Sequence, residues 1–145
     1  MSDRKKISIV SPCFNEERNV RQCYETVRSI FERECPDCDF EHIFADNCSS
    51  DGTVAILREI AASDPRVKVV LNSRNFGLFR STFNALRHAT GDATLVMLPV
   101  DLQDPPELIP KFIALWREGW EIVAGVKAER AESLPMRTMR RIFYS

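Results

Sequence analysis

Short apolar runs alternate with segments of helical spacing along most of the chain, and this alternation limits the possible fold classes. The predicted strands are Ile7–Ser11, Phe40–Ala45, Val67–Leu71, Leu95–Leu98 and Trp120–Val126. Strands separated by helical segments are typical of parallel pairing, in which each connection crosses over through a helix. The sequence therefore predicts an α/β domain with a mostly parallel sheet and helices on both faces.

Residues with capping preferences predict where the helices begin and end. Asn15–Glu17 is typical of a helix start, and Ser49 or Ser50 is the expected cap of the second helix. A third helix follows Gly77 and is predicted to stop at Gly91. The aromatic stripes of the third and fourth helices are predicted to face the core, and they consist of Phe79, Phe83, Phe112 and Trp116.

Length and composition are those of one globular domain. The 145 residues are 44% hydrophobic and 28% charged, and a net charge of -1 gives no reason to expect nucleic acid as a partner. The sequence has no run long enough for a membrane span and no apolar region of a signal peptide, so we expect a cytoplasmic protein. The cysteines fit a reducing compartment, and Cys35 and Cys38 are interpreted as two loop cysteines rather than a zinc site.

The stretch from Asp101 to Glu107 indicates the chemistry. It ends the run Leu95–Leu98 with carboxylates, an amide and two prolines that fit the first turn of a helix. Ligands bind at the carboxyl ends of strands in open α/β sheets, and such oxygen groups suit Mg²⁺ or Mn²⁺ shared with substrate phosphates. A metal-assisted nucleotide site is the first hypothesis, and the alternative is that Asp101 and Asp104 only form a turn and a cap.

The first strand–helix junction has no glycine-rich phosphate loop. It contains Pro12, Phe14, Asn15 and Glu16, and neither G-x-G-x-x-G nor G-x-x-x-x-G-K-[ST] occurs in the sequence. We therefore expect a cation near Asp101, rather than a backbone cradle, to neutralise a bound diphosphate.

Four motifs in the expected order resemble family-2 glycosyltransferases of the GT-A fold, whose sheet is Rossmann-like. These motifs are Ile9–Glu17, Asp46–Thr53, Arg74–Gly77 and Asp101–Glu107. The last two are similar to the branch that moves sugars to polyprenyl phosphates, which includes dolichol-phosphate mannose synthase. The resemblance implies one nucleotide-sugar-binding domain over residues 1–145, and we expect it to be truncated because a helical pattern is cut at Ser145.

The resemblance also implies roles for single residues. The matching positions are Pro12, Phe14 and Glu16 for the nucleoside pocket, Asp46 and Asn47 for base and ribose, Asp101 and Gln103 for Mg²⁺ or Mn²⁺, and Lys127 and Arg130 for the donor diphosphate or the lipid phosphate. Asp101 would reach the donor through the metal ion. No residue is assigned as the catalytic base.

Two departures from the family pattern and several structural alternatives accompany these roles. Pro99 stands where the family has an aspartate, so weaker metal binding is expected. Asn47 and Cys48 stand where aspartate and glycine are common, which leaves the nucleobase open. As alternatives, Asp46 and Ser50 are typical helix caps and Arg74–Gly77 is typical of a shaping turn; His42 and His88 lack partners at metal-ligand spacing.

The expected function is inverting sugar transfer from a nucleotide-diphosphate donor to a polyprenyl phosphate at the cytoplasmic membrane face. The expected partners are the donor, the lipid-phosphate acceptor and a second copy of the chain in a homo-oligomer. The isolated chain is expected to bind donor without completing turnover. The alternatives are a non-catalytic nucleotide-sugar-binding module and a nucleotidyltransferase, although the latter requires a glycine- and arginine-rich loop after the first strand, where this sequence has none.

Overall fold

The computed structural model describes residues 4–96 and 98–126. The strands are β1 Lys5–Cys13, β2 Cys38–Asp46, β3 Val67–Leu71 and β4 Ala93–Val96. The helices are α1 Val20–Glu34, α2 Thr53–Ser63, α3 Leu78–Leu86 and α4 Ile109–Arg117, and a 3-10 turn, Pro106–Leu108, leads into α4. The alternation of strands and helices is confirmed.

The four strands form one parallel sheet in the order β3-β2-β1-β4. Ile9 of β1 lies opposite His42 of β2 on one side and Leu95 of β4 on the other. The carboxyl ends of the first three strands are level, because Asp46 is opposite both Cys13 and Leu71. The predicted parallel sheet is confirmed.

Helices pack on both faces of this sheet, as predicted. The Phe40 ring of β2 stacks on Phe31 of α1 with ring centroids 4.5 Å apart. Ile43 of β2 belongs instead to a buried cluster with Val10 of β1 and Ala85 of α3. Since side chains three residues apart on a strand point to opposite faces, α1 and α3 cover opposite sides of the sheet.

Helix α3 packs against the sheet through small residues rather than through its aromatic stripe. Its buried residues are Ser81, Thr82 and Ala85. Phe79 and Phe83 are each 67% exposed, so their predicted place in the core is wrong. Small side chains allow the helix backbone to approach the sheet closely, and the Ser81 hydroxyl is satisfied there by the Asn72 amide at 2.8 Å.

The helix boundaries differ from the capping predictions. Residues 17–19 form a turn, and α1 begins only at Val20. Gly52, and not Ser49 or Ser50, is the N-cap residue of α2, and no side chain caps that helix. The serines are drawn into contacts between loops instead, because their hydroxyl and amide groups find partners in the neighbouring loop.

Gly91 does not stop α3, which already ends at Leu86. A Cβ atom at Gly91 would lie 2.7 Å from the Lys6 carbonyl oxygen and 2.7 Å from the Ser8 amide nitrogen. Glycine is therefore required by the close passage of this segment beside β1.

The chain divides into two compact units, with the boundary between Ala114 and Leu115 inside α4. The first unit contains the whole sheet and α1 to α3. In α4, Ile109 and Ile113 are buried, and Phe112 is half-buried, so the stripe predicted from Phe112 is only partly correct.

The second unit begins with the last turn of α4 and is described as far as Val126. Trp116 is half-buried, so its predicted core position is also only partly met. The Trp120 amide donates to the Leu115 carbonyl at 3.3 Å, which extends the helix-ending turn. Residues 120–126 contain no strand, and Ile122 is 87% exposed. The predicted fifth strand is wrong, because these apolar residues lack the packing that makes such a run a strand.

Candidate functional site

The loops that follow β1 and β2 are fastened to each other by reciprocal hydrogen bonds. The Asn15 amide donates to Ser49 Oγ at 2.9 Å, and the Ser50 amide donates to Asn15 Oδ1 at 2.8 Å. The Glu17 amide donates to Asp51 Oδ2 at 3.2 Å, and the Gly52 amide donates to Glu17 Oε2 at 2.7 Å. We call this set the β1–β2 clasp; its members are Asn15, Glu17, Ser49, Ser50, Asp51 and Gly52.

The clasp explains why these residue types occur here. Asn15 has a φ of 56°, a left-handed conformation that asparagine tolerates better than most residues. Cys48 has a φ of 68°, so the position where glycine is common in the resembling family is left-handed in this chain as well. Much of the second motif therefore serves to shape the edge of the sheet.

The three residues matched to a nucleoside pocket lie at the end of β1 and beside the clasp. Pro12 is half-buried in β1, and Phe14 just beyond the strand is 45% exposed. The Glu16 amide donates to Thr53 Oγ1 at 2.8 Å, and Glu16 Oε2 accepts from the Asn19 amide group at 2.6 Å. An exposed aromatic ring beside fixed polar groups is a surface on which a planar base can stack.

Asp46, the last residue of β2, is only 1% exposed. Its Oδ2 accepts from the Ser49 amide at 3.0 Å, and its Oδ1 accepts from the Ser49 hydroxyl. Asp46 therefore holds its own loop and does not cap α2. A contact between Asp46 and base or ribose stays a prediction.

Asn47 links the end of β2 to the loop that precedes α3. Its Nδ2 donates to Asn75 Oδ1 at 2.8 Å, and its Oδ1 accepts from the Phe76 amide at 2.9 Å. Gly77 at the end of that loop has a φ of 81°, which confirms the shaping turn predicted there. The Arg74 guanidinium carbon lies 4.6 Å from the centre of the Phe76 ring.

Arg74 and Asn75 were predicted only as part of a motif and of a shaping turn, without a place in the site. Asn75 supports the turn on both sides, since its Oδ1 also accepts from the Gly77 amide at 2.9 Å. Arg74 is an exposed cation next to polar loops. The signal available in the sequence was the motif Arg74–Gly77, which begins three residues after the predicted third strand ends.

Asp101 and Gln103 lie beyond β4, where the chain keeps pairing with β1. The Leu98 amide donates to the Val10 carbonyl at 3.0 Å, and this contact carries the segment toward the carboxyl end of the sheet. Pro99 lies beyond the end of the strand. The Gln103 amide donates to Asp101 Oδ1 at 3.2 Å, so Asp101 does form a turn. Pro105, without a side-chain cap, is the N-cap of the following 3-10 turn, so Asp104 is not the cap.

The donor set around Asp101 fits a hard divalent cation shared with phosphates. Asp101 and Gln103 are exposed, and only one Asp101 oxygen is used in the turn contact. Within residues 4–96 and 98–126, no cluster of three or more histidine, cysteine or acidic side chains could hold a metal on its own. The cation would therefore need ligand oxygens and water to complete its coordination.

Carboxylates from several loops surround the end of β1. Burial, followed by the charges of Asp46, Glu16 and Asp51, raises the pKa of the Cys13 thiol far above its ordinary value. The pKa of Cys23 is raised to about 12 by burial, against a hydrogen bond with Ser11 that lowers it, and the charge of Asp101 raises it further. An edge with this charge can hold a diphosphate only if cations accompany it.

Other predicted residues lie away from this edge or outside the description. Lys127 and Arg130 lie outside the described residues. His42 is fully buried, with Nε2 2.9 Å from Ser11 Oγ and with burial lowering its pKa to about 3, which confirms the structural reading. Cys35 and Cys38 are buried at the end of α1 and the start of β2.

The parallel sheet and the polar loops at its carboxyl edge define an open α/β domain, the type in which ligands bind at that edge. The chain belongs to glycosyl transferase family 2, whose family model matches residues 8–144. A prophage bactoprenol glucosyl transferase homolog of Escherichia coli is 42% identical over 126 residues, covering 87% of this chain and 40% of the relative. An undecaprenyl-phosphate 4-deoxy-4-formamido-L-arabinose transferase of Pectobacterium carotovorum is 35% identical over 141 residues, covering 92% of this chain and 40% of the relative.

Solved structures share the fold. The mannosyltransferase PcManGT from Pyrobaculum calidifontis, in complex with GDP-Man and Mn2+, has a TM-score of 0.58 at 24% identity over 70% of this chain and 33% of its own. Residues 1-349 of S. aureus TarS, in complex with UDP-GlcNAc, give a TM-score of 0.61 at 21% identity, covering 88% of this chain and 37% of the TarS chain. The GT-A fold expected from the motifs is confirmed, and the chain spans about two fifths of the length of its relatives.

Proposed function

We propose that this chain is the donor-binding part of an enzyme that transfers a sugar from a nucleotide diphosphate to a polyprenyl phosphate. The observation that carries the proposal is that the Asp101 turn and the β1–β2 clasp both follow strands at the carboxyl edge of one parallel sheet. The named relatives act on bactoprenol and undecaprenyl phosphate, which supports a lipid-phosphate acceptor. The donor complexes of the solved structures support a nucleotide sugar.

The site residues divide into those that bind the donor and those that shape the edge. Phe14 offers a stacking surface for the base, and Glu16 offers a carboxylate for ribose or base donors. Asp46 would reach base or ribose only by giving up its contacts with Ser49. Asp101 and Gln103 would hold Mg²⁺ or Mn²⁺, which when bound would stabilise the charge that develops on the departing diphosphate. Lys127 and Arg130 would add positive charge near the phosphates.

With a lipid phosphate as acceptor, the proposed reaction takes place at a membrane, and we propose its cytoplasmic face. Among the described helices, none has the length and apolar character needed to cross a bilayer. Because the chain covers 40% of its relatives, inverting transfer, a catalytic base and any homo-oligomeric contact are proposed for the whole protein.

Donor binding can be tested by thermal unfolding with UDP-, GDP- and dTDP-sugars, each with and without Mn²⁺. A ligand that binds only the folded protein raises the melting temperature by mass action. We expect one class of donor to do so, and only when Mn²⁺ is present. Asp101→Asn should weaken that binding by about tenfold or more, equivalent to about 1.4 kcal/mol.

Glu107→Gln is the matched control, because Glu107 is an exposed carboxylate in the same stretch. It should bind donor and Mn²⁺ like the wild type. Equal Mn²⁺-dependent binding by wild type and Asp101→Asn would refute the metal role of Asp101.

The second candidate function is a non-catalytic nucleotide-sugar-binding module. Pro99 favours the module, because this proline stands where the family has a second carboxylate. Among the described residues, few protein ligands are therefore left around Asp101 to bind a metal ion. Hydrolysis of the donor with Mn²⁺, measured against Asp101→Ala, separates the two. Hydrolysis that Asp101→Ala abolishes indicates an enzyme, whereas binding without hydrolysis in the full-length protein indicates the module.

A further inference from the structure

The outer face of α3 carries two phenylalanines and is flanked by arginines. Phe79 and Phe83 are one helical turn apart and each 67% exposed. Arg80 and Arg87 are also exposed and extend the same side of the helix. We call these four residues the α3 outer face. Aromatic side chains at such exposure are unusual on a surface that meets only water.

The orientation of α3 is fixed by polar contacts on its inner side. Ser81 Oγ accepts from Asn72 Nδ2 at 2.8 Å, and Asn84 Nδ2 donates to Asn72 Oδ1 at 3.0 Å. Turning the helix to bury Phe79 would break these contacts. The exposed aromatic face is therefore a consequence of the fold.

The charged residues in the segment that carries this face are all basic. Residues 72–91 contain the basic residues Arg74, Arg80 and Arg87 and no aspartate or glutamate. The whole chain has a net charge of -1, so this segment differs from the average surface. A partner for it should be negatively charged and should also accept apolar side chains.

We propose that the α3 outer face docks on the surface of a bilayer that contains anionic phospholipid. Phenylalanines can enter the boundary between headgroups and acyl chains, while arginine stems lie along that boundary and place their guanidinium groups among lipid phosphates. Nine residues of helix offer a small area, so the binding is weak and reversible.

This docking surface has a defined place relative to the candidate site. α3 begins directly after Gly77, and the loop before it is bound to Asn47 at the end of β2. A membrane beneath α3 therefore lies next to the loop edge of the sheet. The inference goes beyond the proposed function and can be tested without nucleotide or acceptor.

Flotation of the 145-residue chain with vesicles tests it. We expect binding to vesicles of phosphatidylcholine with phosphatidylglycerol, little binding to phosphatidylcholine alone, and weaker binding at high salt. Phe79→Ser with Phe83→Ser should lower the partition coefficient by roughly tenfold or more. Arg80→Gln with Arg87→Gln should lower it by roughly tenfold and remove most of the salt dependence.

Two controls separate docking from general charge and from unfolding. Arg21→Gln with Arg33→Gln removes two exposed arginines from α1 and should change the partition coefficient by less than about twofold. The melting temperature of each variant should match that of the wild type, because the substituted side chains are exposed.

Three results would overturn the proposal. One is binding that is equal on neutral and anionic vesicles, and another is binding that both α3 double variants retain. The third is a dimer in sedimentation velocity that Phe79→Ser with Phe83→Ser dissociates while vesicles bind no protein, which would identify a second copy of the chain as the partner of this face.

Discussion

Asn47 shows how a single polar residue can serve the fold where family resemblance implies a ligand contact. Its amide nitrogen donates to Asn75 and its oxygen accepts from the Phe76 amide. An aspartate, common at this position in the resembling family, could accept from Phe76 but could not donate to Asn75. The asparagine therefore matches the loop that this particular sequence carries.

We predict that Asn47→Ala lowers the free energy of unfolding by about 2 kcal/mol, because it removes the buried side chain that joins two loops, leaves the Phe76 amide without its acceptor and takes one donor from Asn75 Oδ1. Asn75→Ala should cost about 1 kcal/mol. In a double-mutant cycle measured by urea unfolding, the two changes should couple by about 1 kcal/mol.

A cycle of Asn47→Ala with Glu32→Gln is the control, since Glu32 lies on α1 and makes an exposed ion pair with Arg28. Those two changes should be additive. Additive free energies for Asn47 and Asn75 would contradict the proposed link.

At the scale of secondary-structure elements, patterns predicted the existence of strands and helices better than their orientation. β3 was predicted at its observed bounds, because a short apolar run between turn-forming residues usually folds as a strand. The orientation of α3 depended on Ser81 and its bond to Asn72, which no periodicity of apolar residues reveals. Hydrophobic spacing alone placed Phe79 and Phe83 on the wrong side.

Gly91 was singled out for a helix ending, but it is needed for packing. We predict that Gly91→Ala destabilises the protein by about 2 kcal/mol or more, because backbone atoms of β1 lie where the new methyl group must go. Thermal or urea unfolding measures the change.

Gly52→Ala is the comparison. Its added Cβ would lie 2.9 Å from Glu17 Oε2, at the end of a flexible side chain that can move. We expect a cost of about 1 kcal/mol or less, mainly from disturbing the contact with Glu17. A larger effect at Gly52 than at Gly91 would contradict this account of the two glycines.

At the scale of the whole molecule, the sequence predicted which residues gather at one edge but not how they are held there. Parallel strands place Asp46 and Asp101 at the same edge, so resemblance and topology agreed. The pairing of β4 beside β1 and the β1–β2 clasp depend on contacts between distant segments. Local propensity does not encode such contacts.

Toward the amino ends of the strands, a buried carboxylate links the sheet. This is Glu41, which is 2% exposed. Lys6 and Lys68 each place Nζ 2.8 Å from Glu41 Oε2. Ser8 Oγ donates to Oε1 at 2.7 Å, and the Thr90 amide donates to the same oxygen at 2.6 Å. Glu41 thereby joins β1, β2, β3 and the segment that enters β4.

We predict that Glu41→Gln lowers the free energy of unfolding by about 3 kcal/mol at neutral pH, since it leaves two lysines without their shared partner. Glu32→Gln, which removes exposed ion pairs with Arg28 and Arg66, should cost at most about 0.5 kcal/mol. Burial alone would raise the pKa of Glu41, but hydrogen bonds from Lys6, Lys68 and Ser8 hold it far below its ordinary value of 4.5. A lowered folded-state pKa stabilises the protein above pH 4.5, and this stabilisation is lost as the pH falls. Urea unfolding from pH 7 to pH 3 should therefore show wild type and Glu41→Gln converging in acid; a constant difference would mean that the charge of Glu41 contributes nothing.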